Sequence, residues 1–253
     1  MRAPAAILTL LLAAAPALAG AETQAGAGLA GALPDVQTPE GVSTILQWVL
    51  IVTVLSVAPA IVLMVTCFTR IIVVLGLLRQ ALATQQLPPN SVLFALAVLM
   101  TLVVMAPVYA DVYGQAVGPY LRGQIPRARA LEAADGRVRG FMIDQIERAG
   151  NARDVYLFLP GEQAGKPDLQ WAQVPTLSLI PAYAVSELKV AFFMGFQFYL
   201  PFVVIDMLVA AVLVSMGMLM LPPVLISLPF KLLLFVLADG WHRVVGTLMQ
   251  SFS

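Results

Sequence analysis

Residues that could carry out chemistry are few in this sequence and follow no catalytic spacing. The 253 residues include a single histidine, His242, and a single cysteine, Cys67. The motifs G-x-S-x-G, H-E-x-x-H and C-x-x-C, which assemble nucleophilic, zinc and redox sites, are absent from the sequence. The sequence therefore predicts no enzyme, no metal site and no cofactor.

Charged residues within or beside the apolar C-terminal half are the more informative ionisable groups. Charges at membrane depth are costly, so they pair with each other or line a water-filled path. Glu187 and Lys231 stand at opposite ends of the apolar block, and we predict that they pair within or between subunits. Asp206 has apolar residues on both sides and needs a partner that the sequence does not identify.

A cluster of methionines is the second distinctive feature. The stretch "SMGMLMLPP", residues 215–223, places Met216, Met218 and Met220 at alternate positions before a proline pair. An alternating pattern is not a helical stripe, and a proline pair opposes a continuing helix. The pattern favours a loop, and the alternative is methionine filling gaps in a buried helix. Unbranched thioether side chains repack easily around irregular shapes.

The composition is that of a membrane protein. The chain is 60% hydrophobic and 11% charged, whereas soluble domains are about 25% charged. The apolar runs 45–68 and 91–110 are long enough to cross a bilayer. The net charge of zero gives no argument for a nucleic-acid partner.

The N-terminal residues predict a signal peptide over 1–21, followed by a flexible leader over 22–37. Arg2 precedes a short apolar core, and Ala17-Leu18-Ala19 forms a small-residue cleavage site. A first membrane helix is the alternative interpretation. Cleavage would place the new N-terminus on the outer side of a bacterial membrane.

Charge distribution then predicts the topology of the remaining chain. Between the first two apolar runs, Arg70 and Arg79 occur without an acid, so this part is predicted to face the cytoplasm. Residues 111–184 hold sixteen of the 28 charged residues and are predicted to form a small periplasmic segment. Within it, "RVRGFMIDQIERAG" has the spacing of an amphipathic helix.

The two apolar regions on either side of this segment are predicted to be helical. Residues 38–110 form N-terminal hydrophobic helices, and residues 185–253 form C-terminal hydrophobic helices around the methionine-rich loop. Pro201, Pro222-Pro223 and Pro229 interrupt the C-terminal region and predict short helical pieces. Irregular backbone at membrane depth is tolerated only where protein or water covers it, so this region is expected to lie inside an assembly.

Two blocks of sequence closely resemble the FliP family of type III export-gate subunits. They run over 68–93, which contains "FTRIIVVLGLLRQAL" and "LPPNSVL", and over 180–241, from "IPAYAVSELKVAFF" to "VLADGW". The related injectisome subunit SctR shares these motifs, and the cleavable signal peptide favours the flagellar branch. The resemblance implies an all-α membrane-class fold of helical hairpins with proline-broken apolar helices and a small periplasmic helical insertion.

The resemblance also implies a function without catalysis. Family members are core subunits of the flagellar export gate in the basal body of the inner membrane. Several copies, five in the family's described complex, assemble with FliQ and FliR beside FlhB and FlhA. Unfolded flagellar proteins pass through the resulting pore. Family hairpins sit largely above the membrane plane although their hydropathy predicts multiple spans.

In the family, a methionine-rich loop closes the pore. The matching residues here are Met218, Leu219 and Met220, just ahead of Pro222-Pro223. The family pattern has three consecutive methionines, and Leu219 replaces the middle one, so Met216 is a further candidate for the seal. Two other hypotheses stay open. A small-solute secondary transporter would show internal repeats, which we do not find between the apolar halves, and a membrane scaffold would have no pore.

Overall fold

A computed structural model describes residues 39–84, 87–161, 170–218 and 220–252 of the chain. The predicted signal peptide (1–21) and leader (22–37) lie outside the described residues. The regular secondary structure of the described part is entirely helical. The predicted all-α class is confirmed.

The described chain contains eight α-helices in the following order: α1 Pro39–Met64, α2 Phe68–Ala81, α3 Asn90–Val112, α4 Gly118–Leu121, α5 Arg127–Arg148, α6 Thr176–Ser215, α7 Pro223–Leu237 and α8 Gly240–Gln250. A π-helix, Tyr113–Val117, joins α3 to α4, and short 3-10 helices cover Ala152–Phe158 and Trp171–Gln173.

Two compact units divide the chain, and the boundary falls within α1 at Pro59. The described part of the first unit is the helical stretch 39–59, in which the described side chains are mostly exposed. The second unit, from Ala60 onward, contains two hydrophobic cores. All residues discussed below as sites belong to this second unit.

Three helical stretches of the described chain are long and apolar enough to cross a membrane. They are Ile45–Met64, Asn90–Leu121 and Thr176–Ser215. The helices α7 and α8 together pass the same test, bent by 63° at the break between them, so a fourth span exists if the bent pair is counted as one. These helices support the predicted membrane class.

The larger core surrounds α2. Its buried apolar side chains recur at intervals of three and four residues, which places them on one broad helix face: Phe68, Ile71, Val74, Leu75 and Leu78. This face packs mainly against α6 and also against α3. The helix α2 is therefore an interior element of the unit.

A smaller core lies beneath α5. Met142 and Ile146 of α5 are fully buried and pack with Leu179 and Tyr183 of α6. Arg139 of α5 also binds the segment that precedes α6, because its guanidinium donates a hydrogen bond to the Val174 carbonyl at 2.8 Å. The predicted amphipathic helix is confirmed.

Prolines in the C-terminal half act differently from one another. Pro223 is the first residue of α7, a position where a missing N–H leaves no hydrogen bond unmade. Pro201 and Pro229 instead lie inside α6 and α7, which differs from the prediction that they end helices. In membrane helices, neighbouring groups and local adjustment satisfy the backbone that proline frees.

The predicted segment boundaries fall inside helices. The apolar helical stretch Asn90–Leu121 continues past residue 110, and α6 begins at Thr176, before residue 185. The predicted side of the membrane for residues 111–184 stays a prediction.

The helices α2 and α6 approach each other closely at Gly195, opposite Leu77. A Cβ atom built on Gly195 would lie within 3.0 Å of the Leu77 Cβ and closer still to the end of that side chain. We therefore expect Gly195→Ala to lower the free energy of unfolding by about 1–3 kcal/mol through overpacking, measured by thermal unfolding in detergent.

The matched control is Gly76→Ala in α2. A Cβ atom at Gly76 meets no atom within 4 Å, so the control should raise stability by up to about 1 kcal/mol through helix propensity. Equal effects of the two substitutions would contradict the close approach.

Candidate functional site: two ion pairs and the methionine loop

The side chain of Arg70 is buried inside the larger core, near the start of α2. It is only 2% exposed, and its five N–H donors all have acceptors, as a buried guanidinium requires. Nε and Nη2 donate to the two carboxylate oxygens of Glu187 in α6, the first at 2.8 Å. The second Nη2 proton goes to Gln145 Oε1, and Nη1 donates to the carbonyl and hydroxyl oxygens of Ser251.

The geometry of this pair suits arginine in particular. A planar guanidinium binds a carboxylate through two parallel hydrogen bonds, which a lysine ammonium does not reproduce. The ring of Phe252 lies over the guanidinium, with its centroid 4.1 Å from the Arg70 Cζ. The Arg70 side chain thus brings together α2, α5, α6 and the residues after α8.

The predicted pair of Glu187 with Lys231 is wrong in this chain. Glu187 is fully buried against Arg70, and Lys231 pairs with Asp206 through a 2.7 Å contact between Nζ and Oδ2. Both predicted partners are therefore already neutralised by other residues. The prediction failed because the packing of α2 against α6, which the sequence does not show, brings Arg70 next to Glu187.

Asp206 thereby gains the partner that the sequence left unidentified. Its second carboxylate oxygen accepts a hydrogen bond from the hydroxyl of Ser227, one turn before Lys231 on α7. The ammonium of Lys231 also donates to the carbonyl of Ala81 at 3.3 Å. Ala81 ends α2, where unpaired carbonyls and the helix dipole favour a cation.

The two arginines predicted to face the cytoplasm have different environments. Arg70 is buried in the ion pair and is not exposed to solvent, and its predicted cytoplasmic side stays a prediction. Arg79 is half-buried, and its Nη1 donates to the carbonyl of Pro88 and to the side chain of Asn90. Its predicted cytoplasmic side stays a prediction.

A sequence signal for the Arg70 pair exists. Arg70 shares its helix face with Val74, Leu78 and Ala81, which are four, eight and eleven residues further on and are all buried. A lone charge on the apolar face of a helix indicates a buried partner, since an unpaired charge there is too costly. The prediction of membrane topology counted Arg70 only as a positive charge and did not consider its position on the apolar face of the helix.

The methionine loop connects α6 to α7. The helix α6 ends at Ser215, and Gly217 has a φ of 76°, a left-handed conformation that glycine adopts without strain. Met216, Met218 and Met220 are exposed, Met220 to 98%. Leu219 lies outside the described residues. The predicted loop thus lies between α6 and α7 and is followed by Pro222-Pro223, as the sequence predicts.

His242 and Cys67 lie in different environments. His242 lines a cavity of about 570 Å³ between α6, α7 and α8, whereas Cys67 is buried immediately before α2. Among the described residues, no three histidine, cysteine or acidic side chains are grouped closely enough to hold a metal ion.

Comparison with known proteins identifies the family. The family model described as "FliP family" matches residues 51–248, a range that includes both ion pairs and the methionine loop. The chain belongs to the FliP family. Membership makes it a flagellar biosynthetic protein and a component of the type III export apparatus.

Several FliP-family relatives are similar over most of their length. The flagellar biosynthetic protein FliP of Bacillus subtilis (strain 168) is 45% identical over 214 residues, covering 85% of this chain and 95% of the relative. FliP of Caulobacter vibrioides is 49% identical over 208 residues, covering 82% of this chain and 76% of the relative. FliP of Cereibacter sphaeroides is 47% identical over 208 residues, covering 82% of this chain and 67% of the relative.

Removing the carboxylate of Glu187 should strongly destabilise this FliP-family chain. Glu187→Gln would leave the Arg70 guanidinium buried without a countercharge, and breaking a buried pair in this way costs about 3–5 kcal/mol. Thermal and denaturant unfolding of the purified protein in detergent measures the loss.

The control is Arg137→Gln, which removes one member of the exposed Arg137–Asp111 pair. Exposed pairs contribute about 0–1 kcal/mol. If Glu187→Gln were no more harmful than this control, the buried pair would not hold the core together.

The thiol of Cys67 should be unreactive in the folded chain. Burial raises its pKa from 9.0 to about 12, and the hydrogen bond with Thr101 offsets this only in part. Since the thiolate is the nucleophile, we expect no modification of folded protein by maleimide at pH 7–8, and full modification in SDS. Gln124→Cys, at an exposed position, supplies a thiol that should react in both conditions.

The same shift gives a pH dependence. An unfolded thiol ionises near pH 9.0, whereas the folded thiol stays protonated up to about pH 12. The stabilising contribution is therefore complete below pH 9.0 and is lost as the pH rises toward 12. Cys67→Ala should reduce the decline in stability over this range, and an unchanged decline would contradict the assignment.

Proposed function

We propose that this chain is a core subunit of the flagellar type III export gate, in the inner membrane at the basal body. In this role it encloses, together with FliQ and FliR, the pore through which unfolded flagellar proteins leave the cell. The chain itself performs no catalysis. Similarity to flagellar relatives over most of the chain supports the flagellar system over the injectisome.

Exposed apolar surface supports an assembled state. The outer faces of α6 and α7 carry large exposed side chains: Phe192, Phe193, Phe196, Phe230, Leu233 and Val236. Monomeric soluble proteins rarely expose contiguous apolar surface of this kind. Covering it requires lipid or protein neighbours, and we assign these neighbours to further copies of the chain, five in all, with FliQ, FliR, FlhB and FlhA.

The exposed methionine loop is the observation that carries the pore proposal. Met216, Met218 and Met220 expose thioether side chains at the end of α6. Arranged as a ring by several copies, such side chains would exclude water and ions at rest. Their adaptable rotamers would repack around a passing polypeptide. Leu219 completes the apolar stretch in sequence.

Truncating the methionines should open the closed gate to ions. We expect Met218→Ala with Met220→Ala to raise ion conductance of membranes that contain the assembled complex, because the smaller side chains leave a gap in the seal. Conductance in proteoliposomes or planar bilayers measures this effect.

The matched control is Met207→Ala, which truncates an exposed methionine of α6 outside the loop. It should leave conductance unchanged. Unchanged conductance in the double variant would reject the seal, and failure to co-purify with FliQ and FliR would reject the proposed assembly.

A further inference from the structure

The methionine loop begins with a turn that is held by its backbone. The Gly217 N–H donates to the Val214 carbonyl, and the Met218 N–H donates to the Leu213 carbonyl, both at 3.0 Å. Together with the left-handed conformation of Gly217, these two bonds form a Schellman motif, which ends a helix. Because backbone groups fix the turn, chemistry on its methionine side chains can change its surface without unfolding it.

Exposure separates the methionines of the loop from those of the core. Met220 is 98% exposed, Met216 66% and Met218 40%. Four other methionines of the described chain are buried, each with an exposed fraction of 6% or less: Met100, Met105, Met142 and Met194. An oxidant must reach a sulfur atom to oxidise it, so susceptibility follows exposure. The loop therefore concentrates three accessible sulfur atoms within residues 216–220.

Two further exposed methionines, Met64 and Met207, have different surroundings. They lie in the apolar helices α1 and α6, and the side chains near Met207, such as Val204 and Leu208, are exposed and apolar. Helix surface of this kind requires lipid, detergent or protein neighbours, which exclude water and polar oxidants. In the proposed pore, by contrast, the loop methionines meet water and the passing polypeptide.

Oxidation changes the property on which the proposed seal depends. A thioether sulfur attacks one oxygen of hydrogen peroxide, so that an S–O bond forms and the O–O bond breaks. The hydrogen of the transferred oxygen moves to the other oxygen, which leaves as water. The sulfur is oxidised and the peroxide is reduced. The product, methionine sulfoxide, is polar where the thioether was apolar, so the side chain no longer excludes water.

From these observations we propose that Met216, Met218 and Met220 form a reversible oxidation site, and that their modification by peroxides makes the closed gate permeable to ions. The effect on conductance rests on the proposed function, whereas the oxidation depends only on the chain itself. Methionine sulfoxide reductases restore the thioether. Thiols supply the electrons, become a disulfide, and the oxygen leaves as water. The loop thus makes the seal sensitive to peroxide and allows it to recover.

Peptide mass spectrometry of the purified full-length protein in detergent tests the oxidation. After brief exposure to hydrogen peroxide, Met216 and Met220 should each gain an oxygen atom roughly tenfold faster than Met105. Met207 should react more slowly than Met220, and methionine sulfoxide reductase with dithiothreitol should remove the added oxygen. Equal rates for Met220 and Met105, or for Met220 and Met207, would overturn the inference.

Ion conductance of proteoliposomes that contain the assembled complex tests the consequence. Peroxide should raise the conductance severalfold, and reductase treatment should lower it again. The combination of Met216→Leu, Met218→Leu and Met220→Leu keeps apolar side chains but removes the sulfur atoms, so peroxide should cause no rise above the baseline of that variant. The matched control Met207→Leu should show the same rise as the unaltered chain.

Three outcomes of the conductance experiment would reject the proposal, and they are distinguishable. A rise in the triple leucine variant equal to that of the unaltered chain would mean that peroxide acts elsewhere. If Met218→Ala with Met220→Ala leaks and the oxidised unaltered chain does not, the inference alone is overturned. If neither leaks, the seal itself is rejected, and this inference is rejected with it.

Discussion

The fold of this chain depends on placing one guanidinium inside an apolar core. Arg70 has five N–H donors, and each needs an acceptor because the surroundings contain little other polar surface. Those acceptors come from Glu187, Gln145 and Ser251, which belong to distant parts of the sequence. The arrangement of α2, α5, α6 and the C-terminal residues is therefore the arrangement that neutralises Arg70.

The second ion pair, in which Lys231 is buried and Asp206 is partly exposed, extends this constraint to the other end of α2. Lys231 neutralises Asp206 and also binds the carbonyl of Ala81. One helix is thus held at its start by a carboxylate and at its end by an ammonium. Buried pairs add little net stability compared with apolar packing, but removing one partner is costly. They therefore disfavour alternative packings of α2, since any shift would strand a charge.

The same pair positions the methionine loop. Asp206 lies ten residues before Met216, and Lys231 lies eight residues after Pro223. The ion pair therefore joins α6 and α7 two to three helical turns away from the loop that connects them. The loop itself extends exposed methionines from two fixed helices. In the proposed pore, the methionine side chains would move aside for a passing polypeptide while the ion pair keeps α6 and α7 in place.

The sequence by itself determined the helical class, the amphipathic face of α5 and the break before α7. These follow from local physics: apolar run length, residue periodicity and the position of a proline pair. It also pointed to Glu187, Asp206 and Lys231 as charges that need partners. Only the tertiary structure decided those partners, because Arg70 and Glu187 are 117 residues apart and Asp206 and Lys231 are 25 apart. Periodicity tells which face of a helix is buried, but not which other helix will cover it.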